Sequence, residues 1–470
     1  MSRKFQVKVI PSKWIEDGGH RLDCGPYVGG AIEARELLKK HHTERLDSLT
    51  KGYNGGIYNG PQFSRNYVED PEFGVPFLTT STMQKADTAN LPLLSKKDAY
   101  SSKLSFLEVS ENMTLITCSG SIGKIAYSRK DMAGCWSNQD IMKVVADTEK
   151  IHQGYLNAFL AGRFGVPLVV SGTYGAIIQH IEPSHLADLP VPRLGAVEEK
   201  AHELVQRAAD LRVEAAALLK ECGKTLNQTL GFPNRMSLSH RSFSCTLANA
   251  SQMVARMEAS YYDAVSLKTD EMIATLPNKD LFSALDISID ETGRLKQIFV
   301  DEEYGVPFLT SGEIFQLSYA PTRFLSKRLL PMDEAWAMDE GDILLARSGQ
   351  VGGIIGRGVW ADRRFAGGCV SVDVLRIKTE KARIPAGYLY TYLCLTDVGY
   401  HQLIRTAAGS SIPHISASDV YKLWIPRCPD EIEKRIDVSV RKAGILRADA
   451  QDYEDQARAL VEQAIEEGGQ

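Results

Sequence analysis

The chain contains no run approaching the roughly eighteen apolar residues that a membrane-spanning helix requires. Its eight cysteines (Cys24, Cys118, Cys135, Cys222, Cys245, Cys369, Cys394 and Cys428) form no C-x-x-C pair and do not alternate with histidine. Neither a zinc site nor a disulfide framework is therefore indicated, and they read as reduced, mostly buried thiols. The start, MSRKFQVKVIPSK, carries cations but no apolar segment behind them, so no secretory leader is expected and a cytoplasmic location is the default. No G-x-S-x-G, H-E-x-x-H or helicase phosphate loop occurs, which removes the common hydrolase and motor signatures. N-P-P-Y and D-P-P-Y, which an amino-methyltransferase would need to hold a flipped base, are missing as well. A chain of this kind is expected to lack these activities by itself.

What is present is an ordinary globular composition, 44% hydrophobic and 24% charged over 470 residues, enough for two or more cores. The net charge of −5 is a property of the tail: residues 428–470 hold 6 Lys and Arg against 11 Asp and Glu, and the rest balances to zero. Mild overall acidity thus does not argue against a nucleic-acid partner, because binding depends on where cations cluster.

The hexapeptide GVPFLT stands at Gly74–Thr79 and again at Gly305–Thr310. Companions recur in the same order near the same displacement. RLDCGPY at Arg21 faces RMEASYY at Arg256, SGSIG at Ser119 faces SGQVG at Ser348, and AGCWSNQDIMKV faces AGGCVSVDVLRI. GYL at Gly154 recurs at Gly387, and QHIEPSHLADLPVPR faces PHISASDVYKLWIPR. The chain is a tandem duplication of a unit of about 230 residues.

Each unit opens with short apolar runs separated by Gly, Pro, Asn and Ser, the pattern of strands and turns. It changes character at a Pro-Arg step, Pro192-Arg193 and Pro426-Arg427, after which Ala, Glu, Leu, Arg and Lys dominate. Apolar residues then recur at helical spacing, including Leu204, Ala208, Leu211, Ala215, Leu218 and Cys222 in one copy and Ile432, Ile436, Val440, Ala443, Ala450, Tyr453, Ala457 and Leu460 in the other. Each segment predicts a helix of roughly 30 residues, hence ~45 Å at about 1.5 Å per residue. Its apolar stripe needs a partner: the other copy's helix, or its own domain alone. The expected fold is α+β, two tandem pseudo-symmetric domains each followed by a long helix, the helices pairing as an antiparallel coiled coil. The expected divisions are a first domain at 1–195, a helix at 196–232, a linker and second domain at 233–427, and a C-terminal helix at 428–470.

Two similar heads suit a linear ligand that itself repeats, and duplex DNA is the leading candidate. The paired elements (R-L-D-x-x-x-Y, G-V-P-F-L-T, S-G-S-I-G-K or R-S-G-Q-V-G, the N-Q-D-I strand, the G-Y-L helix start, and G-S-S-I-P-H-I-S before L-W-I-P-R) resemble the specificity (S) subunit of type I restriction-modification systems. The resemblance spans nearly the whole chain and appears twice. It implies a non-catalytic protein whose two target recognition domains each read half of a bipartite DNA sequence. It also implies a helical spacer that receives two modification subunits, which methylate adenine with S-adenosylmethionine, and restriction subunits that join them; no cofactor is expected on this chain. Two departures stand out: an extension from Met1 to about Gly19, and Lys124 in the first copy's turn where the second has Gly353.

Several residues are candidate DNA contacts. GSIGK at Gly120–Lys124 is no nucleotide-binding loop, since Cys118 and Ile125 stand where Gly and Ser or Thr are required. It reads as a turn offering Ser119, Ser121 and Lys124 to the backbone. Its counterpart offers Arg347, Ser348 and Gln350, residue types that read guanine and adenine edges. Thr173 and Tyr174 in one loop face Ser410 and Ser411 in the other. Lys96 and Lys97 are candidate phosphate contacts, and Arg363-Arg364 beside Trp360 and Phe365 is the favoured basic and aromatic cluster. His180 and His414 recur in both copies without an evident acidic partner and read as loop-bracing or core residues. A tandem scaffold binding protein or glycan, or a hydrolase with a site between the units, remains the alternative.

Overall fold

The computed structural model describes residues 7–17, 24–86, 88, 91–173, 180–236, 259–291, 297–330, 336–409 and 411–468. The candidate linker at 237–250 and the arginine ends of the paired RLDCGPY and RMEASYY motifs lie outside these. The chain forms two compact units, residues 1–213 with 449–470, and residues 214–448.

Among the described residues, unit 1 carries the strands β1 (Thr43–Arg45), β2 (Ile57–Tyr58), β3 (Tyr67–Val68), β4 (Gly74–Leu78), β5 (Leu93–Ser95), β6 (Thr114–Thr117), β7 (Ile125–Tyr127), β8 (Trp136–Ser137), β9 (Ile141–Val144) and β10 (Pro190–Pro192). Unit 2 carries β11 (Lys279–Leu281), β12 (Ser288–Glu291), β13 (Phe299–Val300), β14 (Gly305–Leu309), β15 (Phe324–Ser326), β16 (Ile343–Ala346), β17 (Gly358–Trp360), β18 (Cys369–Val370), β19 (Val374–Lys378) and β20 (Trp424–Pro426). The sheet orders are β2-β9-β6-β7, β3-β5-β4-β8 and β1-β10 in unit 1, and β12-β19-β16-β17, β13-β15-β14-β18 and β11-β20 in unit 2. Every strand thus has its counterpart ten places on, down to the parallel pairs β4–β8 and β14–β18.

The repeated GVPFLT is β4 and β14, and its identity is a packing requirement. Val75, Phe77 and Leu78 are buried, as are Val306, Phe308 and Leu309. The glycine lets the neighbouring strand close in: a Cβ would lie 2.6 Å from Leu93 Cβ at Gly74 and 2.5 Å from Phe324 Cβ at Gly305.

Four helices position the sheets: α1 (Gln153–Ala161), α2 (Ala196–Leu230), α3 (Ala386–Tyr390) and α4 (Asp430–Glu467). Glu198 and Glu199 in the first turn of α2, and Asp430, Glu431 and Glu433 in that of α4, suit the positive end of the helix. Gly231, at φ 70°, ends α2. Each unit takes one half of each long helix, so the compact bodies cut across the helices instead of following their ends. In unit 2, Lys442 reaches Glu214 at 2.7 Å and Cys222 lies against the Ile436 carbonyl, which sets the halves antiparallel. In unit 1, the Arg212 guanidinium forks onto Glu454 with both contacts at 2.8 Å. Ala201, Val205 and Ala209 share one core with Ala457, Val461 and Ile465 and with the head itself. The stripe therefore packs on the other helix and on its own domain together.

The Pro-Arg step is a charged joint. Arg193, just after β10, donates to Glu44 at 2.6 Å and to both Glu198 carboxylate oxygens at 3.1 and 3.0 Å. Arg427, just after β20, donates to Asp280 at 2.6 Å and to both Glu433 oxygens at 2.8 Å. The same carboxylates accept the backbone N–H of Leu194 and of Cys428. Paired guanidinium and carboxylate hold each arginine pKa above its ordinary value, first through the bond to the helix glutamate. Glycine-tyrosine pairs complete the joint. Gly154 donates to His202 Nδ1 at 3.1 Å and Gly387 to Asp437 Oδ1 at 2.6 Å, while the Tyr155 and Tyr388 hydroxyls bond the Pro192 and Pro426 carbonyls.

One buried position differs between copies. Lys143 in β9 is fully buried, with Ser137 Oγ as its hydrogen-bond partner and Tyr58 beneath it, whereas Arg376 at the matching place in β19 meets Asp290. Burial pushes the Lys143 pKa down to about 7.

Two outcomes are expected. Arg427→Met strands the buried Glu433 charge and should lower the stability of unit 2 by about 3–5 kcal/mol in urea denaturation. Between about pH 7 and the ordinary lysine value of 10.5, the unfolded chain holds a proton at residue 143 that the folded chain has released. Stability therefore rises with pH across that window and its loss is complete at the lower end. Thermal melts of Lys143→Met should show this pH dependence flattened.

Candidate nucleic-acid interface

The glycine turns sit at equivalent places, between β6 and β7 and between β16 and β17. In unit 1, Thr117 Oγ1 donates to the Ser121 carbonyl at 2.5 Å and accepts the Lys124 N–H at 3.0 Å. Gly120 and Gly123 take left-handed φ of 71° and 80°. The turn thereby exposes Ser121 and Lys124 and leaves Ser119 half-buried. Gly123 packs on Val170, in the helix Gly165–Ser171, with space for no Cβ (2.5 Å to Val170 Cγ2). The segment leading to Thr173 is so brought beside the turn; the Thr173 hydroxyl itself bonds the Val170 carbonyl. Tyr174 lies outside the described residues.

Unit 2 repeats this with other side chains. Gln350 is exposed at the tip, while Ser348 is buried and its Oγ is 2.7 Å from His414 Nδ1. Arg347 is not a free reader: its guanidinium lies 3.2 Å from Glu291. Ser411 is exposed, and Ser410 lies outside the described residues.

Both recurring histidines brace loops. Ser119 and His180 form a backbone bridge in unit 1, and Ser348 and His414 form the matching one in unit 2. His414 also exchanges backbone bonds with Ala408, at 2.8 and 2.9 Å.

Other expected contacts are placed elsewhere. Lys96 and Lys97 are exposed in the short helix Lys96–Ala99 that follows β5, a strand of the other four-stranded sheet of unit 1, and Lys96 Nζ donates to the Glu72 carbonyl at 2.8 Å. Arg363 is exposed, but Arg364 forks onto Asp362 at 2.8 and 2.6 Å and contacts the Leu317 carbonyl. Trp360 and Phe365 are buried, and Trp360 packs under the Arg441 guanidinium of α4. The favoured basic and aromatic cluster is thus mostly internal, with Asp362 neutralising one of its two cations. Sequence reasoning missed two exposed aliphatic side chains at the unit 2 tip, Val351 and Ile412; hydrophobic residues in turn-rich stretches were their only signal.

No family model and no curated protein matches this chain. Among solved structures it is similar to the S subunit of a type I restriction-modification system from M. genitalium, with 11% identity and a TM-score of 0.34, covering 91% of this chain and 96% of that one. It is also similar to the HsdS subunit from Thermoanaerobacter tengcongensis, with 14% identity and a TM-score of 0.27, covering 90% and 96%. A lesser likeness, over 45% of this chain and 34% of that one, is to the type IIG restriction endonuclease BpuSI, at 14% identity and a TM-score of 0.30.

Ser348→Ala removes one side-chain tie and leaves the backbone bonds between the loops in place. Amide exchange at Ala408 and His414 should accelerate about fivefold, the equivalent of one net hydrogen bond. Unchanged protection would mean that the hydroxyl does not brace the loops.

Proposed function

We propose that this chain is a DNA-sequence specificity subunit of a type I restriction-modification system. The observation that carries the reading is the strand-for-strand duplication of a head whose glycine turn is bridged through the backbone to a second loop in both copies. Each head reads one half of a bipartite site, with phosphate contacts giving affinity and base contacts giving choice. Because the tips differ, with Lys124 and Ser121 in one and Gln350 and Ser411 in the other, the two half-sites differ in sequence. The paired helices set the separation of the half-sites and receive two modification subunits, which supply S-adenosylmethionine and the methyl transfer. Restriction subunits join that assembly. The chain contributes binding free energy and register and performs no covalent step.

Methylome sequencing tests this directly, comparing cells that carry the chain and its neighbouring methyltransferase with cells lacking this chain alone. N6-methyladenine at one asymmetric, bipartite motif should vanish with the deletion. Methylation that persists, or is never present, would sink the proposal.

A further inference from the structure

The loops of unit 2 form one fused edge. Besides the Ser348–His414 contact at 2.7 Å, Gly349 N–H donates to the Pro413 carbonyl at 3.3 Å and Ile415 N–H to the Arg347 carbonyl at 2.8 Å. This edge carries two aliphatic side chains turned out to water: Val351 is 60% exposed and Ile412 is 58% exposed. Exposed Gln350 and Ser411 adjoin them in sequence. Residues 347–361 and 398–418 contain no Asp or Glu, and the acid that approaches the edge from β12, Glu291, is paired with Arg347. Polyanionic DNA thus meets no unpaired carboxylate from either loop.

A glutamine amide can bond adenine N6 and N7 together, and the thymine opposite presents a C5-methyl group whose complement is an aliphatic side chain. We infer that Gln350, Val351 and Ile412 form the base-reading edge of unit 2 and recognise an A·T pair, the amide on adenine and the aliphatic pair on the thymine methyl. This rests on the specificity-subunit reading. Val351 and Ile412 are exposed because their partner is the base and not the core. In the first copy the matching turn carries half-buried Ile122 and exposed Lys124, and residues 174–179 of its second loop lie outside the described residues.

The test uses the full chain and duplexes carrying its methylated site, with each thymine replaced singly by uracil, which lacks only the methyl group. At one thymine, wild-type affinity should fall about fourfold, the equivalent of one apolar carbon returned to water. The Val351→Ala/Ile412→Ala variant should bind the thymine and uracil duplexes alike. Both positions are at the surface, so that variant should melt with the wild type. Wild-type binding indifferent to every methyl group, discrimination that survives the double substitution, or a site without an A·T pair in either half overturns this inference alone. Failure to bind any site duplex overturns the specificity-subunit reading and this inference with it.

Discussion

A guanidinium closing a strand onto a helix is the constraint on which each unit depends. Arg193 and Arg427 stand where the last strand of the head gives way to a long helix, and each is clamped between a carboxylate on the partner strand and one in the first turn of the helix. Glu433 is completely buried and Glu198 nearly so, so neither can lose its cation without leaving a charge stranded. The fork is planar and bidentate, which fixes direction as well as distance. With strand and helix locked, the glycine of α1 or α3 can lie against the helix backbone, and the tyrosine that follows it can reach the strand's carbonyl. The orientation of the loops relative to the helix within each unit follows from that joint.

Much of this was legible in the sequence because the duplication supplied an internal control. The long helices begin and end within a few residues of the expected positions, since their apolar spacing and acidic first turns are local signals. The Pro-Arg step marked the right place but hid its purpose, because Glu44 and Asp280 come from strands far upstream. GVPFLT announced the repeat, yet what both copies share there is a close strand approach and three buried side chains. The recurrence of His180 and His414 pointed correctly to braced loops, although the partner serine lies 66 residues away in unit 2. The packing of the Arg363-Arg364 cluster was not legible. Composition shows cations beside aromatic residues but not that Trp360 faces α4 or that Asp362 takes one guanidinium.

The copies agree in their joints and differ in two other kinds of place. One is the buried cation of the central sheet, where Arg376 is offset by Asp290 while Lys143 meets the Ser137 hydroxyl and the Tyr58 ring. Arginine cannot shed its charge and needs the acid; lysine tolerates the site by losing its proton. The nearby Asp342, 3.9 Å from the Arg376 guanidinium, is pushed up to about 6 by burial.

The other difference is at the tips, where the physical demand is reversed. A reader of base edges gains selectivity only if its side chains are already placed, because ordering a flexible loop on binding offsets the contacts that it makes. In unit 2 the glycine turn is tied to the second loop through backbone bonds and a serine-histidine contact, without using any side chain at the tip itself. Ser121, Lys124, Gln350, Val351 and Ile412 are therefore free to vary while the scaffold beneath them is kept. A duplicated head built in this way can change its tip side chains without changing how either copy folds.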